Sequence, residues 1–258
     1  MTIPSKLYKY ESWNDLSVAN LKNLQIYFSD PMEFNDPFDN ALDFNIAELS
    51  NDEFNKVHSY YYQQYPDKIA FKKKFGKVCN EEFRSIFASI IEKKSREATR
   101  LFLRTRGVSC FSETNNEILM WSHYSKSHTG FCLEFDTLFT PFSEAREVKY
   151  KKIFPELNSM NALVEKKDFN AEILLLTKYK SWQYEKEWRI FHQKKSVLFK
   201  YPPQALTSIY FGAKMPLAHC EIIATLIHIQ SPDTIFYKAD KSTSSFKLEF
   251  KKYILNFK

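Results

Sequence analysis

The chain has 258 residues, 44% of them hydrophobic, enough for one large domain or two small ones with a substantial core. Its 4 glycines (Gly76, Gly107, Gly130 and Gly212) are too scattered for a dinucleotide-binding turn or a phosphate-cradling loop. The formal net charge of +6 is spread over short runs such as Lys72-Lys73-Lys74, Lys151-Lys152 and Lys194-Lys195, which permits attraction to anions without requiring it.

The four cysteines, Cys79, Cys110, Cys132 and Cys220, form no CxxC pair, which argues against a zinc ribbon or knuckle. Cys110 and Cys132 sit in apolar, strand-like runs that predict buried thiols. The opening MTIPSKLYKYESWN carries no apolar stretch of the secretory kind, and no apolar run approaches the roughly 18 residues that span a bilayer. The expected compartment is the cytoplasm, with no membrane partner.

In chain order, residues 7–10 (LYKY) predict a first strand, and 14–23 a short helix capped by Ser12 or Asn14. Residues 24–28 (LQIYF) predict a second strand. The Pro- and Asn/Asp-rich stretch 29–39, SDPMEFNDPFD, predicts a structured loop. Apolar residues spaced near three and four predict helices over 46–104, broken at Pro66 and Gly76 and ended by Gly107. Strands at 108–111 and 131–135 flank a short helix at 117–124. A strand is expected at 145–153 and a helix at 157–176. Strong strand signals follow at 187–191 and 206–211, then a helix at 217–228 and strands at 234–238 and 245–250. Strands at both ends and in the middle predict an α+β domain with a mixed or antiparallel central sheet. It is read as one domain over 1–258 with a helical insertion at 46–104.

Three constellations stand out. The segment 109–136, SCFSETNNEILMWSHYSKSHTGFCLEFD, gathers Ser112, Trp121, His123, Tyr124 and His128. Rings with polar tips suit a flat, polar ligand, although Trp121 and Tyr124 are equally suited to a core. The spacing of His123 and His128 is not that of a one-face helical metal pair, and no metal site is expected. In the FNDPFD loop, Asn35, Asp36 and Asp39 either line a pocket rim or bond local backbone. In KSWQYEKEWRIF, a strand would set Glu185, Glu187 and Arg189 on one face, with Gln183 before them and Trp188 and Ile190 facing the core. A Glu–Glu–Arg row is costly unless exposed or paired. It is therefore either a salt-bridged sheet face or a set of carboxylates placed against a ribose.

The ordered motifs LYKY, YFSDPMEFNDPFD, the MWSHY-containing segment, WQYEKEWRI and SIYFGAKM resemble a widespread bacterial family carrying a domain of unknown function. They are also similar in pattern to abortive-infection proteins of the AbiG type. The order of elements further resembles the ADP-ribosyltransferase fold. That resemblance implies NAD as substrate, with Lys9 and Tyr10 on the first element, where the family has His or Arg. It implies Ser112, Trp121 and Tyr124 at the nicotinamide side. It makes Glu187 or Glu185 the catalytic acid, assisted by His123, and puts Asn35, Asp36, Asp39, His128 and Arg189 toward the substrate. The implied role is an anti-phage defence effector or toxin modifying a nucleic-acid or protein acceptor. Two other readings stay open. One is a non-catalytic module binding a ligand or a defence-system partner. The other is a metal-dependent nuclease using Asp36, Asp39, Glu185, Lys186 and Glu187.

Overall fold

The computed structural model describes residues 2–40, 50–64, 66–75, 81–155 and 172–255. Strand β1 (Lys6–Glu11) leads into α1 (Asp15–Lys22). Asn14 starts that helix with a reciprocal capping box: its side chain accepts from the Ser17 N–H, and the Ser17 hydroxyl accepts from the Asn14 N–H. After β2 (Gln25–Phe28) comes a single 3-10 turn, Pro31–Glu33, capped by the Asp30 carboxylate. Helices α2 (Asn51–Gln64), α3 (Lys68–Phe75) and α4 (Glu81–Thr105) follow. Next are β3 (Gly107–Ser112), α5 (Ile118–Tyr124) and β4 (Phe131–Asp136).

The remaining elements are β5 (Arg146–Glu147), β6 (Lys149–Lys151), α6 (Glu172–Leu175), β7 (Thr177–Tyr179), β8 (Glu187–His192), β9 (Val197–Lys200), β10 (Leu206–Phe211), α7 (Leu217–Gln230), β11 (Ile235–Lys241) and β12 (Leu248–Lys252).

An eight-stranded sheet runs β12-β11-β10-β4-β1-β3-β8-β5. Neighbours are antiparallel except β10 and β11, whose parallel pairing requires a crossover, supplied by α7. The chain is therefore α+β with a large mixed sheet. Alternation along the strands sets Leu7, Phe111, Leu133, Phe135, Trp188, Ile190, Ile209 and Phe211 on one face. There they join Leu21 of α1 and Ile223, Ala224 and Ile227 of α7 in the main core. Phe135 and Phe142 stack at 4.2 Å within it. Each buried Leu, Ile or Phe side chain here contributes about 1.5–3 kcal/mol. The other face carries Tyr8, Tyr10, Cys110, Ser112, Glu187 and Arg189. A smaller cluster of Tyr10, Met120, Trp121, Cys132 and Tyr210 covers part of it.

One junction of the sheet is loose. Strands β1 and β4 pair along their whole length, from Lys6 with Asp136 to Glu11 with Phe131. The ladder between β1 and β3 is in register only at Tyr8 and Ser112. The sheet parts there.

Several expectations are corrected. The strand predicted at 145–153 is two short strands: β5 pairs with β8 and β6 with β7, and the chain changes partner at the buried Val148. Of the helix predicted at 157–176, only α6 lies among the described residues. Strands β7 and β9 were not predicted; β9 pairs with β2 in a separate two-stranded sheet. Cys132 is buried, but Cys110 is only half-buried. Cys79 and Gly76 lie outside the described residues. Strand β8 begins at Glu187, as the 187–191 signal predicts, and the extension back to Glu185 and Gln183 does not form. Lys180–Glu185 forms 3-10 turns that end at Lys186, whose φ of 44° breaks the extended run, so Gln183 and Glu185 are not strand residues.

Candidate functional site

A cavity of about 530 Å³ opens where β1 and β3 part. Tyr8, Lys9 and Tyr10 of β1 face Cys110, Phe111 and Ser112 of β3 across it. Helix α5 contributes Met120, His123 and Tyr124, and the loop after β2 contributes Phe34, Asn35 and Asp39. The floor is Lys178, Glu185, Glu187 and Arg189. Two regions distant in sequence, α5 and the turn before β8, therefore share one cavity.

The turn is fastened to β3 by Ser112, whose hydroxyl donates to the Glu185 carbonyl at 2.6 Å. The left-handed Lys186 then redirects the chain so that Glu185 and Glu187 converge on one cation rather than lying in a row. Lys178 Nζ donates to Glu185 Oε2 at 2.5 Å and to Glu187 Oε2 at 3.2 Å, and lies 3.9 Å from Asp39 Oδ2. Arg189, fully buried, grips Asp39 with both terminal nitrogens at 3.0 Å. Its Nε and Nη2 donate to the two Glu187 oxygens at 2.8 and 3.1 Å, and Nη1 also reaches the Leu175 carbonyl at 2.8 Å. Such bidentate, charge-assisted contacts are the strong ones.

Three carboxylates thus meet two cations, and the two glutamates shift in opposite directions. Burial raises the Glu185 pKa, partly opposed by Lys178 and reinforced by the Glu187 charge beside it. Glu187 goes the other way. Burial resists its ionisation, but Arg189 first and Lys178 next hold it down at about 2. The Tyr124 hydroxyl donates to Glu185 Oε1 at 2.6 Å, and burial pushes that hydroxyl's own pKa up. Burial followed by the Glu187 charge likewise raises the Cys110 thiol, which stays protonated. Two neighbouring carboxylates with pKa values driven apart are the arrangement from which acid–base roles are built.

The residues singled out from sequence divide. Lys9, Tyr10, Asn35, Asp39, Ser112, His123, Tyr124, Glu185, Glu187 and Arg189 line the cavity. Lys9 Nζ donates to the Cys110 carbonyl at 3.3 Å and sits 3.8 Å from Glu11. The Tyr10 hydroxyl is committed to the Thr114 carbonyl at 2.8 Å, leaving its ring to the wall. His123 is at the exposed rim, between Tyr124 and Trp182.

Three expected residues are elsewhere. Trp121 is fully buried, edge-on to Tyr10 at 5.3 Å, with Nε1 donating to the Asn115 carbonyl at 2.6 Å; it is core, because its position on α5 turns it to the sheet. Asp36 caps its own loop, accepting from the Phe38 N–H at 2.9 Å. His128 lies on the far side of α5, stacked at 6.3 Å on Trp121 and 3.2 Å from the Ser122 hydroxyl.

Sequence reasoning missed Lys178, which holds the acids together. The KYK run around it looks like a solvated charge patch. The one available signal was the unpaired acidity of Glu185 and Glu187, which demands a buried cation nearby. Among the described residues, no group of three or more His, Cys, Asp or Glu is placed to hold a metal ion, and no helix is long and apolar enough to cross a membrane.

No curated protein and no solved structure matches the chain. Over residues 120–190, the stretch from α5 to β8 that supplies Tyr124, Lys178, Glu185, Glu187 and Arg189, the chain is similar to a family described as protein of unknown function (DUF2971).

Proposed function

We propose that the chain is an ADP-ribosyltransferase-like enzyme that cleaves the nicotinamide–ribose bond of NAD and passes ADP-ribose to an acceptor. The observation that carries this reading is the meeting of Tyr124 with Glu185, 2.6 Å apart, above Glu187 in a cavity of about 530 Å³. That volume falls within the ordinary range of small-molecule sites, roughly 300–1,000 Å³. The parting of the sheet between β1 and β3 supplies a cleft for an extended dinucleotide.

In this reading nicotinamide packs against the ring of Tyr124, near the rim residue His123, and Lys9 faces the phosphates from the β1 wall. The C–N glycosidic bond breaks and its electron pair leaves with nicotinamide. Positive charge develops on the ribose, and the ionised Glu187 stabilises it. The acceptor's nucleophilic atom then bonds to the ribose carbon and gives its proton to Glu185, whose raised pKa suits a base. The test is release of nicotinamide from NAD by the purified chain, with Glu187→Gln as the inactive control checked for folding by circular dichroism. Absence of NAD binding by calorimetry overturns the reading.

One observation favours a second reading. The acids of the site are already paired with Lys178 and Arg189, as expected of a site that binds without turnover. A non-catalytic module, holding a ligand or a partner of a defence system, binds NAD or another flat polar ligand and releases no nicotinamide. Expression in cells separates the two readings: toxicity that vanishes with Glu187→Gln marks an effector, and harmless expression marks a module. The nuclease reading fares less well, because the Lys178 ammonium occupies the space among Asp39, Glu185 and Glu187. Magnesium-dependent cleavage of DNA or RNA revives it.

A further inference from the structure

We infer that a second cavity, on the other side of α5, binds single-stranded nucleic acid. It encloses about 710 Å³ and is walled by the turn between β11 and β12, by Ala213 and Lys214 after β10, by Ile118 at the start of α5, and by His128.

Three features converge on one ligand chemistry. The first is charge: Lys214, Lys241 and Lys247 line the cavity. Its one acid, Asp240, is engaged by Lys251 at 3.2 Å, and Lys247 lies 3.8 Å from the exposed Glu249. The net lining charge is positive and suits phosphates. The second is an aromatic ring: Phe246, at the tip of the turn, is wholly exposed yet lines the same cavity. Its turn-mates Ser242, Thr243, Ser244 and Ser245 add hydroxyl donors. An exposed ring beside lysines gains nothing for folding, whereas base stacking over a basic groove is how single strands are held without sequence preference.

The third feature is the loop that delivers His128. Lys126, Ser127 and His128 have φ of 48°, 57° and 68°, three successive non-glycine residues in the left-handed region. Such strain persists only where the surroundings impose it, and it collects at ligand clamps. Here it is imposed by backbone bonds from the Ser127 N–H to Ser122, from the His128 N–H to Trp121, and from the Lys214 N–H to His128. The result is an imidazole held at the cavity wall, its Nε2 3.2 Å from the Ser122 hydroxyl.

The proposal stands whether or not the first cavity cleaves NAD. The experiment titrates the purified full chain against a short fluorescein-labelled single-stranded oligonucleotide, read by anisotropy at several salt concentrations. Binding is expected, with affinity falling steeply as salt rises, by a slope of about −0.7 for each phosphate neutralised. Phe246→Ala is expected to weaken it about tenfold, the scale of one lost base stack. The double variant Lys241→Glu with Lys247→Glu is expected to abolish it and flatten the salt dependence. All three positions are exposed, so the variants should fold, and thermal midpoints check this. Absence of binding overturns the inference. So does binding that all these variants leave intact, or equal competition by heparin and by a phosphopeptide with no effect of Phe246→Ala.

Discussion

Tyr124 and Glu185 lie 61 positions apart in the chain and share a hydrogen bond of 2.6 Å, the tyrosine donating. That contact joins the outer wall of the cavity to its acidic floor. Tyr124→Phe removes the donor and keeps the ring. A stability loss of about 1.5–3 kcal/mol is expected, the scale of one hydrogen bond to a charged group. Nicotinamide release should lose kcat, with KM for NAD little changed, because the stacking surface remains. An unaltered kcat reduces the contact to a structural one.

The opposed pKa shifts give stability a specific pH dependence. Glu187 is held at about 2 when folded, against an ordinary 4.5. The unfolded chain therefore takes up a proton before the folded one as pH falls. The stabilisation is complete above pH 4.5 and is lost progressively as pH drops toward 2. Glu185, raised when folded, has the opposite sign: its contribution declines as pH rises above 4.5. Thermal midpoints across this range should fall on the acid side. Glu187→Gln should flatten that limb while lowering the plateau, since it leaves Arg189 and Lys178 short of a partner.

Trp121 separates packing from chemistry. It is fully buried against Tyr10, so Trp121→Ala should cost about 3–5 kcal/mol in urea unfolding, the usual scale for an aromatic truncated in a core. The variant, assayed below its own melting point, should retain NAD binding. Selective loss of NAD affinity with stability intact restores the indole to the ligand site.

Elements with a clear period were legible. Alternation placed Trp188 and Ile190 in the core and set Arg189 and Glu187 on the opposite face. Asn14 and Gly107 marked boundaries because capping and turn chemistry are local. That α5 and the turn before β8 share one site was implied by the resemblance in the order of elements, not by any local pattern. What was not legible depended on distant geometry. The left-handed Lys186 re-aims Glu185, and no neighbouring residue announces it. Strand β7 is too short to show a period, so nothing local marks Lys178 as buried. Trp121 and Tyr124 occupy one helical turn, and only the position of the sheet decides which is core and which faces the cavity.

Lys178 carries the sharpest prediction. Its ammonium lies 2.5 Å from Glu185 and 3.2 Å from Glu187, beneath the ring of Trp182 at 5.1 Å. Lys178→Met leaves three carboxylates with Arg189 alone, which should cost about 3–5 kcal/mol of stability. A purely structural lysine would do no more than this. A positioning lysine also sets the proton affinity of Glu185, so its loss should raise that value further and move the pH–rate profile of nicotinamide release to higher pH. Lys178→Arg restores the charge with a different donor geometry, and should recover the profile more fully than the maximal rate. A Lys178→Met protein that folds, turns over NAD and keeps the parent profile removes Lys178 from the mechanism and leaves Glu185 without the neighbour that tunes it.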